Sequence, residues 1–568
     1  MKEKRNRKGK SMKKILLVAI NAKYIHSNLA VYSLKAAAGK YGDQIEIAEY
    51  TINQQPDQIL GDIYRRKPDV AAFSCYIWNG KLIGELMQEL PKILPHTEIW
   101  AGGPEVSYDA EKFLKKHPEI RGVMRAEGEE NFPKLASYYI EETGVLSEIE
   151  NLTYRDMDGN ICETPWAEPI SMDEMPFAYE NLHDFEHKII YYESSRGCPF
   201  RCSYCLSSID KRVRFRSLDL VKKELQVFLD ARVPQVKFVD RTFNCNPRRT
   251  VELLNWIQEH DNGVTNFHFE IAADITTEEE LAIMEQMRPG LIQLEIGVQS
   301  TNPKTVEAIH RTMDLTKLAE VVSRVKGFGN IHQHLDLIAG LPYEDLESFQ
   351  KSFDDVYGMQ PDQLQLGFLK VLKGSGMKED ADGYEIRYHE HAPYEVLTTR
   401  WLNYGEVLTL KGVEEMVEVY YNSRQFDRTI AHIMEQYDSP YRFFLELAEY
   451  YDRKGLSGIG HSRIARYEIL RAFLEEKKLG GPDNDQCMVL DLYARENLKS
   501  RPAFAPDLSP YKEELKNLTR DYGRQVHVEV LEKASGPEYV MFDYRKRDPL
   551  TGEAWMEVLG GTGERHDG

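Results

Sequence analysis

Residues 188–205 read KIIYYESSRGCPFRCSYC, an apolar run that reaches a glycine and then delivers Cys198, Cys202 and Cys205 in C-x3-C-x2-C spacing. No other stretch restricts the fold as tightly, because three thiols this close together after a strand must leave the sheet in one loop. Three thiolates can wrap a single cubane and leave its fourth iron without a protein ligand, and soft sulfur ligation suits an iron–sulfur cluster. Zinc is the competing occupant. A structural zinc site takes four protein ligands, and no fourth cysteine or histidine sits at finger-like spacing. The chain has seven cysteines, with these three packed together and Cys75, Cys162, Cys245 and Cys487 scattered. That pattern is no disulfide framework; it fits a reducing compartment and an oxygen-sensitive metal site.

Strand and helix text alternate downstream. SLDLVKKELQVFLDA at 217–231 has a serine cap and sets Leu218, Val221, Leu225 and Phe228 on one helical face. Strand text recurs at 235–240, 265–274, 291–300, 332–340 and 363–372, with helical text between. Parallel strands with helical crossovers at this spacing predict a barrel or an open α/β sheet, with functional groups at the strand ends. Asp240 ends one strand, and Glu270 and Glu295 are carboxylates among apolar neighbours. A buried carboxylate is costly unless it is hydrogen-bonded or charge-paired; an outward-facing side chain bridged to a crossover helix is the alternative. Arg196, Arg212, Arg214 and Arg216 bring positive charge to the thiols. One guanidinium fork can take a ligand carboxylate, while the others neutralise acidic neighbours. Cys245 is the nearest spare thiol, and ordinary burial is its plainest role.

At 568 residues the chain is too long for one ordinary core. Residues 13–145 read as a small doubly wound α/β domain whose ligand is expected beyond the carboxyl ends of its strands. Ser74 follows the strand VAAF, and Gly102 and Gly103 follow EIWA. Glycines there permit close backbone approach, although a purely structural turn reads the same way. The basic stretch 1–12 is expected to be an unstructured leader rather than a secretory signal. A net charge of −20 argues against a nonspecific nucleic-acid binder. No apolar run approaches the roughly 20 residues that span a bilayer. Segment 146–187, polar and proline-bearing, reads as a linker. Residues 383–568 turn to long helical patterns with aromatics at core spacing, then to strand text at the end.

Taken together, these stretches resemble the cobalamin (B12)-binding branch of the radical S-adenosylmethionine (SAM) superfamily, in the subgroup with an uncharacterised C-terminal domain. The resemblance implies an α/β chain: an N-terminal Rossmann-like cobalamin-binding domain, a partial (β/α)6 barrel over 188–382 and a mainly helical domain over 383–568. It implies three cofactors, a [4Fe–4S] cluster on Cys198, Cys202 and Cys205, S-adenosylmethionine and cobalamin. In the family the open iron chelates the methionine moiety, and one electron frees a 5′-deoxyadenosyl radical. Carried over residue by residue, Tyr204 lies against adenine, Asp240 and Glu270 face the methionine ammonium, and Glu295 faces a ribose hydroxyl. Gln299 and Ser300 flank the adenosyl group, and Gly340 with Pro342 shapes an adenine-contacting turn. Ser74, Gly102 and Gly103 line the channel for the cobalamin nucleotide tail. The chain departs from the family twice. The glycines expected beside Asp240 are missing. The Asp-x-His-x-x-Gly motif that supplies a histidine to cobalt is replaced by NAKYIHSNLA at 21–30. His26 is therefore expected to cap or pack, with no protein histidine on cobalt.

The function expected is methylation of an unactivated carbon in an unknown small-molecule or peptide substrate. A flavodoxin or ferredoxin would supply electrons in the cytoplasm, with neither membrane nor nucleic acid involved. Three alternatives remain: a cobalamin-dependent rearrangement, cyclisation or electron relay; a non-catalytic cofactor carrier or sensor; and a methylthiotransferase-like RNA modifier. The last would need a second three-cysteine set near the N-terminus and a basic RNA module, and the sequence has neither.

Overall fold

The computed structural model describes residues 13–520, 525–533 and 536–559. The basic leader at 1–12 lies outside them. The chain divides into two compact units, one formed by Met1–Ile283, Ile309–Thr312 and Leu369–Leu397, the other by Met284–Ala308, Met313–Phe368 and Thr398–Gly568.

The first unit begins with Ile15–Asn21, ILLVAIN, every residue of which is buried. Period-two alternation sends Leu16, Val18 and Ile20 to one apolar layer and Ile15, Leu17 and Ala19 to the other, as a strand covered on both faces requires. Ile15–Asn21 pairs in parallel with both Ile45–Thr51 and Val70–Ser74, and Glu98–Gly102 and Gly122–Met124 continue the parallel ladder. The first strand thus lies between the second and third. That places a topological switch point between Ile15–Asn21 and Val70–Ser74, where doubly wound sheets bind their ligands. Two short antiparallel strands, Leu152–Arg155 and Ile161–Glu163, complete a seven-stranded sheet. Both fall inside the segment that reads as a linker, and at four and three residues they are too short to show a strand period.

The same unit holds the start of the βα repeat. Gln235–Phe238 pairs in parallel with Ile190–Tyr192 on one side and Asn266–Ile271 on the other, over fully buried Phe238, Phe267 and Phe269. In the second unit His332–Ala339 lies between Ile292–Gln299 and Gln363–Phe368, again in parallel. Each set of parallel strands, with helices such as Leu218–Asp230 in the first unit and Leu315–Phe328 in the second, is consistent with the expected barrel. The C-terminal part is largely helical. Helix Tyr404–Val417 opens on a capping box between Asn403 and Glu406, and Pro440–Arg453 and Arg463–Glu476 close over buried Tyr420, Tyr441, Tyr451 and Tyr467. An antiparallel sheet of Val526–Lys533, Gly536–Arg547 and Ala554–Leu559 ends the description. Among the described residues, no helix is long and apolar enough to cross a membrane.

Candidate metal and cofactor site

The three thiols leave the sheet in a loop whose shape depends on Gly197. Its φ is +97°, and a Cβ there would lie 2.3 Å from the Arg212 carbonyl oxygen, so no other residue fits. Cys198 and Cys202 are buried and Cys205 half-buried. Cys205 N–H donates to the Cys202 carbonyl at 3.1 Å, which curls the loop's end. Burial pushes the Cys198 thiol pKa up, so metal loading has to expel a proton from a protected sulfur. Among the described residues, only Glu295, His334 and Asp336 form a trio of His, Cys, Asp or Glu ligand atoms lying within 4.8 Å of one another. A cubane offers a separate iron to each of three thiolates, so three cysteines in one loop suffice to hold it, whereas a structural zinc takes four protein ligands.

Asp240 is buried, with both carboxylate oxygens engaged. The Ser194 N–H donates at 2.7 Å, and the Ser194 and Ser195 hydroxyls each donate at 2.6 Å. Burial raises its pKa, and the serine donors work against that. Asp240 thus braces the strand that enters the thiol loop. Thr242, two residues on, places Oγ1 3.7 Å from Cys198 Sγ. Arg311 reaches the loop from 109 residues downstream of Cys202, with Nη1 3.7 Å from Cys202 Sγ and 3.4 Å from the Tyr204 hydroxyl. No local motif announces Arg311; only the fold brings it to the thiols. The arginines near the three thiols divide by partner. Arg196 meets Glu127, Glu129 and Glu193; Arg214 meets Glu127 and Asp210; Arg216 meets Glu224. Arg212 is two-thirds exposed, and its ion-pair partners are Glu168 and Asp210. Cys245 ends the turn Phe243–Cys245, half-buried, its thiol pushed up to about 11 by burial and then by the charges of Asp240 and Cys198.

Ser74 ends its strand at the switch point, where Asn28, at the start of helix Leu29–Ala37, sets Nδ2 3.4 Å from Ser74 Oγ. Gly102 ends the neighbouring strand, and its carbonyl accepts from Cys75 N–H at 2.7 Å. Gly103 follows at φ +106°, and a Cβ on it would lie 2.5 Å from the Cys75 carbonyl oxygen. Backbone therefore passes against backbone at the two strand ends. His26 is engaged: Nδ1 lies 2.6 Å from the Tyr191 hydroxyl, and burial lowers its pKa, with Lys23 and Lys237 adding to the effect. A cavity of about 750 Å3 in this unit is lined by Cys75, Glu105, Asp109, Lys373 and Tyr394, and not by Ser74, Gly102 or Gly103.

Glu270 lies half-buried in strand Asn266–Ile271 of this unit. The other candidates are in the second unit. Glu295 faces His334 across the parallel ladder, and His334 Nε2 lies 2.8 Å from Asp336 Oδ1. At the carboxyl end of Ile292–Gln299 the register shifts, and Gln299 turns to φ +73° with its buried Oε1 lacking a hydrogen-bond partner. Such an orphaned acceptor suits a ligand N–H. Ser300 Oγ donates to Glu344 Oε1 at 2.6 Å, and Ser352 Oγ does so at 2.8 Å. Burial pushes Glu344 up to about 7. Gly340, at φ +87°, turns the chain between the strand and Glu344. Cys198, Cys202, Cys205, Tyr204, Asp240, Glu270, Ser74, Gly102 and Gly103 thus share one unit, and Glu295, Gln299, Ser300 and Gly340 share the other.

Three families of known sequence match this chain in succession. Residues 15–136 match the B12 binding domain, 192–356 the radical SAM superfamily, and 382–543 a protein of unknown function (DUF4080). Among curated proteins, an uncharacterized methyltransferase, PH0819, of Pyrococcus horikoshii is 25% identical over 316 residues, 54% of this chain and 66% of that one. The cobalamin-dependent radical SAM methyltransferase TokK of Streptomyces tokunonensis is 24% identical over 349 residues, 58% of this chain and 48% of its own. The chain thus spans about half to two thirds of the length of these relatives. The solved structure of the cobalamin-dependent SAM radical enzyme OxsB with aqua-cobalamin bound superposes with a TM-score of 0.58 at 14% identity, covering 84% of this chain and 80% of that one. The likeness is one of fold.

Proposed function

We propose, for a chain that carries a B12-binding domain, a radical SAM domain and a C-terminal domain of unknown function, that it is a cobalamin-dependent radical SAM enzyme that methylates an unactivated carbon. The observation that carries this reading is a loop bearing three free thiols in the same compact unit as a doubly wound domain whose glycine-bearing strand ends stand at a switch point. Relatives named as methyltransferases support the reaction class. Together the bound cofactors would supply a one-electron reductant, a primary carbon radical and a transferable methyl group.

In this reading the chain's own residues place and protect. Cys198, Cys202 and Cys205 hold the [4Fe–4S] cluster, and Gly197 and Asp240 shape their loop. Tyr204, Glu270, Glu295, Gln299, Ser300 and the Gly340 turn bind SAM. Arg311, held beside Cys202 and Tyr204, adds positive charge where a methionine carboxylate would lie. Ser74, Gly102 and Gly103 accept the cobalamin tail, and His26, engaged with Tyr191, stays off the cobalt. Placement matters because a misplacement of about 1 Å at reacting centres costs on the order of 100-fold in rate. The substrate is a small molecule or peptide, electrons come from a flavodoxin or ferredoxin, and the reducing cytoplasm suits seven cysteines that are all free. Anaerobic incubation with cell extract and methyl-labelled SAM tests the reaction. The expected products are 5′-deoxyadenosine, S-adenosylhomocysteine and a labelled compound heavier by one methyl. Formation of 5′-deoxyadenosine and methionine, with a converted substrate that carries no label, would refute methyl transfer.

A further inference from the structure

Arg196 immediately precedes the obligatory Gly197 and the first cluster cysteine, yet its side chain turns toward the doubly wound domain. Nε and Nη2 grip the two oxygens of Glu193 at 2.9 and 2.7 Å. Nη2 also reaches Glu129 Oε1 at 2.9 Å, and Nη1 lies 3.4 Å from Glu127 Oε2. Glu127 and Glu129 belong to the loop that follows strand Gly122–Met124, 67 residues away from Arg196. The network is largely withdrawn from water, with 20% of the Arg196 side chain exposed, 9% of Glu129 and 16% of Glu193. Arg214 clamps the same loop through Glu127 and fastens it to the Ile170 carbonyl at 2.6 Å.

Ions buried to this degree lose much of their attraction to desolvation, so such networks are poor sources of net stability. What a planar, doubly engaged guanidinium supplies is fixed geometry. The loop it grips is itself fixed on the far side. A Cβ at Gly128 would come within 2.8 Å of Leu34 in helix Leu29–Ala37, which is capped by Asn28, the partner of Ser74. Tyr76, two residues past Ser74, lies close enough to feel the charges of Glu193 and Glu129. The loop at 127–129 therefore stands between the helix capped by Asn28 and the backbone that carries the three thiols, and Arg196 joins it to the latter.

We propose that Arg196 is a positioning residue that sets the separation between the cofactor held at Ser74 and Gly103 and the cluster held on Cys198, Cys202 and Cys205. The inference rests on the functional reading above. It is tested on the full chain, anaerobically loaded with cobalamin and an iron–sulfur cluster, as wild type, Arg196→Lys, Glu129→Gln and the control Arg212→Lys. Iron and cobalamin contents are measured first. Pulsed electron paramagnetic resonance then measures the distance between cob(II)alamin and the reduced cluster. Arg196→Lys keeps the charge and loses the fork; Glu129→Gln keeps the shape and loses the charge. Both should retain the two cofactors while the single distance of the wild type shifts or spreads, and Arg212→Lys should match wild type. Unchanged distances in both test variants would overturn the proposal. So would loss of iron in Arg196→Lys, which would make Arg196 part of cluster binding. Failure of the wild type to bind cobalamin or cluster would defeat the functional reading itself, and it would show before any variant is made.

Discussion

Gly197 and Gly144 both adopt positive φ, +97° and +78°, but only Gly197 has a neighbour where a Cβ would go. Gly144→Ala should therefore cost about 1 kcal/mol of backbone preference. Gly197→Ala adds a clash with the Arg212 carbonyl and should lose most of the bound iron on anaerobic reconstitution, while Gly144→Ala keeps it. Equal iron in both variants would show that the loop tolerates the side chain. His26 makes the second prediction at this scale. The electron paramagnetic resonance spectrum of the cob(II)alamin form should be the same in wild type and His26→Ala; nitrogen superhyperfine splitting that vanishes in the variant would place His26 on cobalt. Residues this local were the legible ones. Three cysteines in one loop after a strand point to a metal from the sequence, and the missing Asp-x-His-x-x-Gly register is why no cobalt histidine is expected, a point the spectrum decides. Arg311 and the serine donors around Asp240 were not legible, because a residue 109 positions away meets a thiol only through the fold.

Elements carry the next level. The strand Ile292–Gln299 and helix Leu346–Gly358 are tied at the Gly340 turn by Glu344, fully buried and accepting from Ser300 and Ser352. Its folded value of about 7 stands above the ordinary 4.5, so the sign follows from proton counting. Between those values the unfolded chain has released the proton while the folded chain keeps it. Stability contributed at this site therefore falls as pH rises through the window, by on the order of 3 kcal/mol. Glu344→Gln, which cannot ionise, should flatten that part of the pH dependence of the unfolding midpoint. Identical slopes in variant and wild type from pH 4.5 to 7 would contradict it. Long elements were legible where period and burial agree, as in the fully buried Ile15–Asn21. Leu152–Arg155 and Ile161–Glu163 were not, because strands that short take their identity from the sheet edge they join. The closing strand Ala554–Leu559 was likewise unmarked: Trp555, Glu557 and Val558 are exposed, and Ala554 and Met556 find their apolar cluster only once the sheet forms.

For the whole molecule, the order of a doubly wound domain, a βα repeat and a helical region could be read from changes in hydrophobic period alone. The helical third stayed mute about chemistry. Its buried tyrosines pack against one another, as in the 2.7 Å contact between the Tyr420 and Tyr451 hydroxyls, and core aromatics name no substrate. A thiolate-held cluster on Cys198, Cys202 and Cys205 is decided by metal analysis of anaerobically reconstituted protein, followed by reduction in the presence of SAM. About four irons per chain are expected, in an oxygen-labile cluster that cleaves SAM when reduced, with both properties lost in Cys202→Ala. Stoichiometric zinc in anaerobically purified protein, with no reducible cluster, would contradict it.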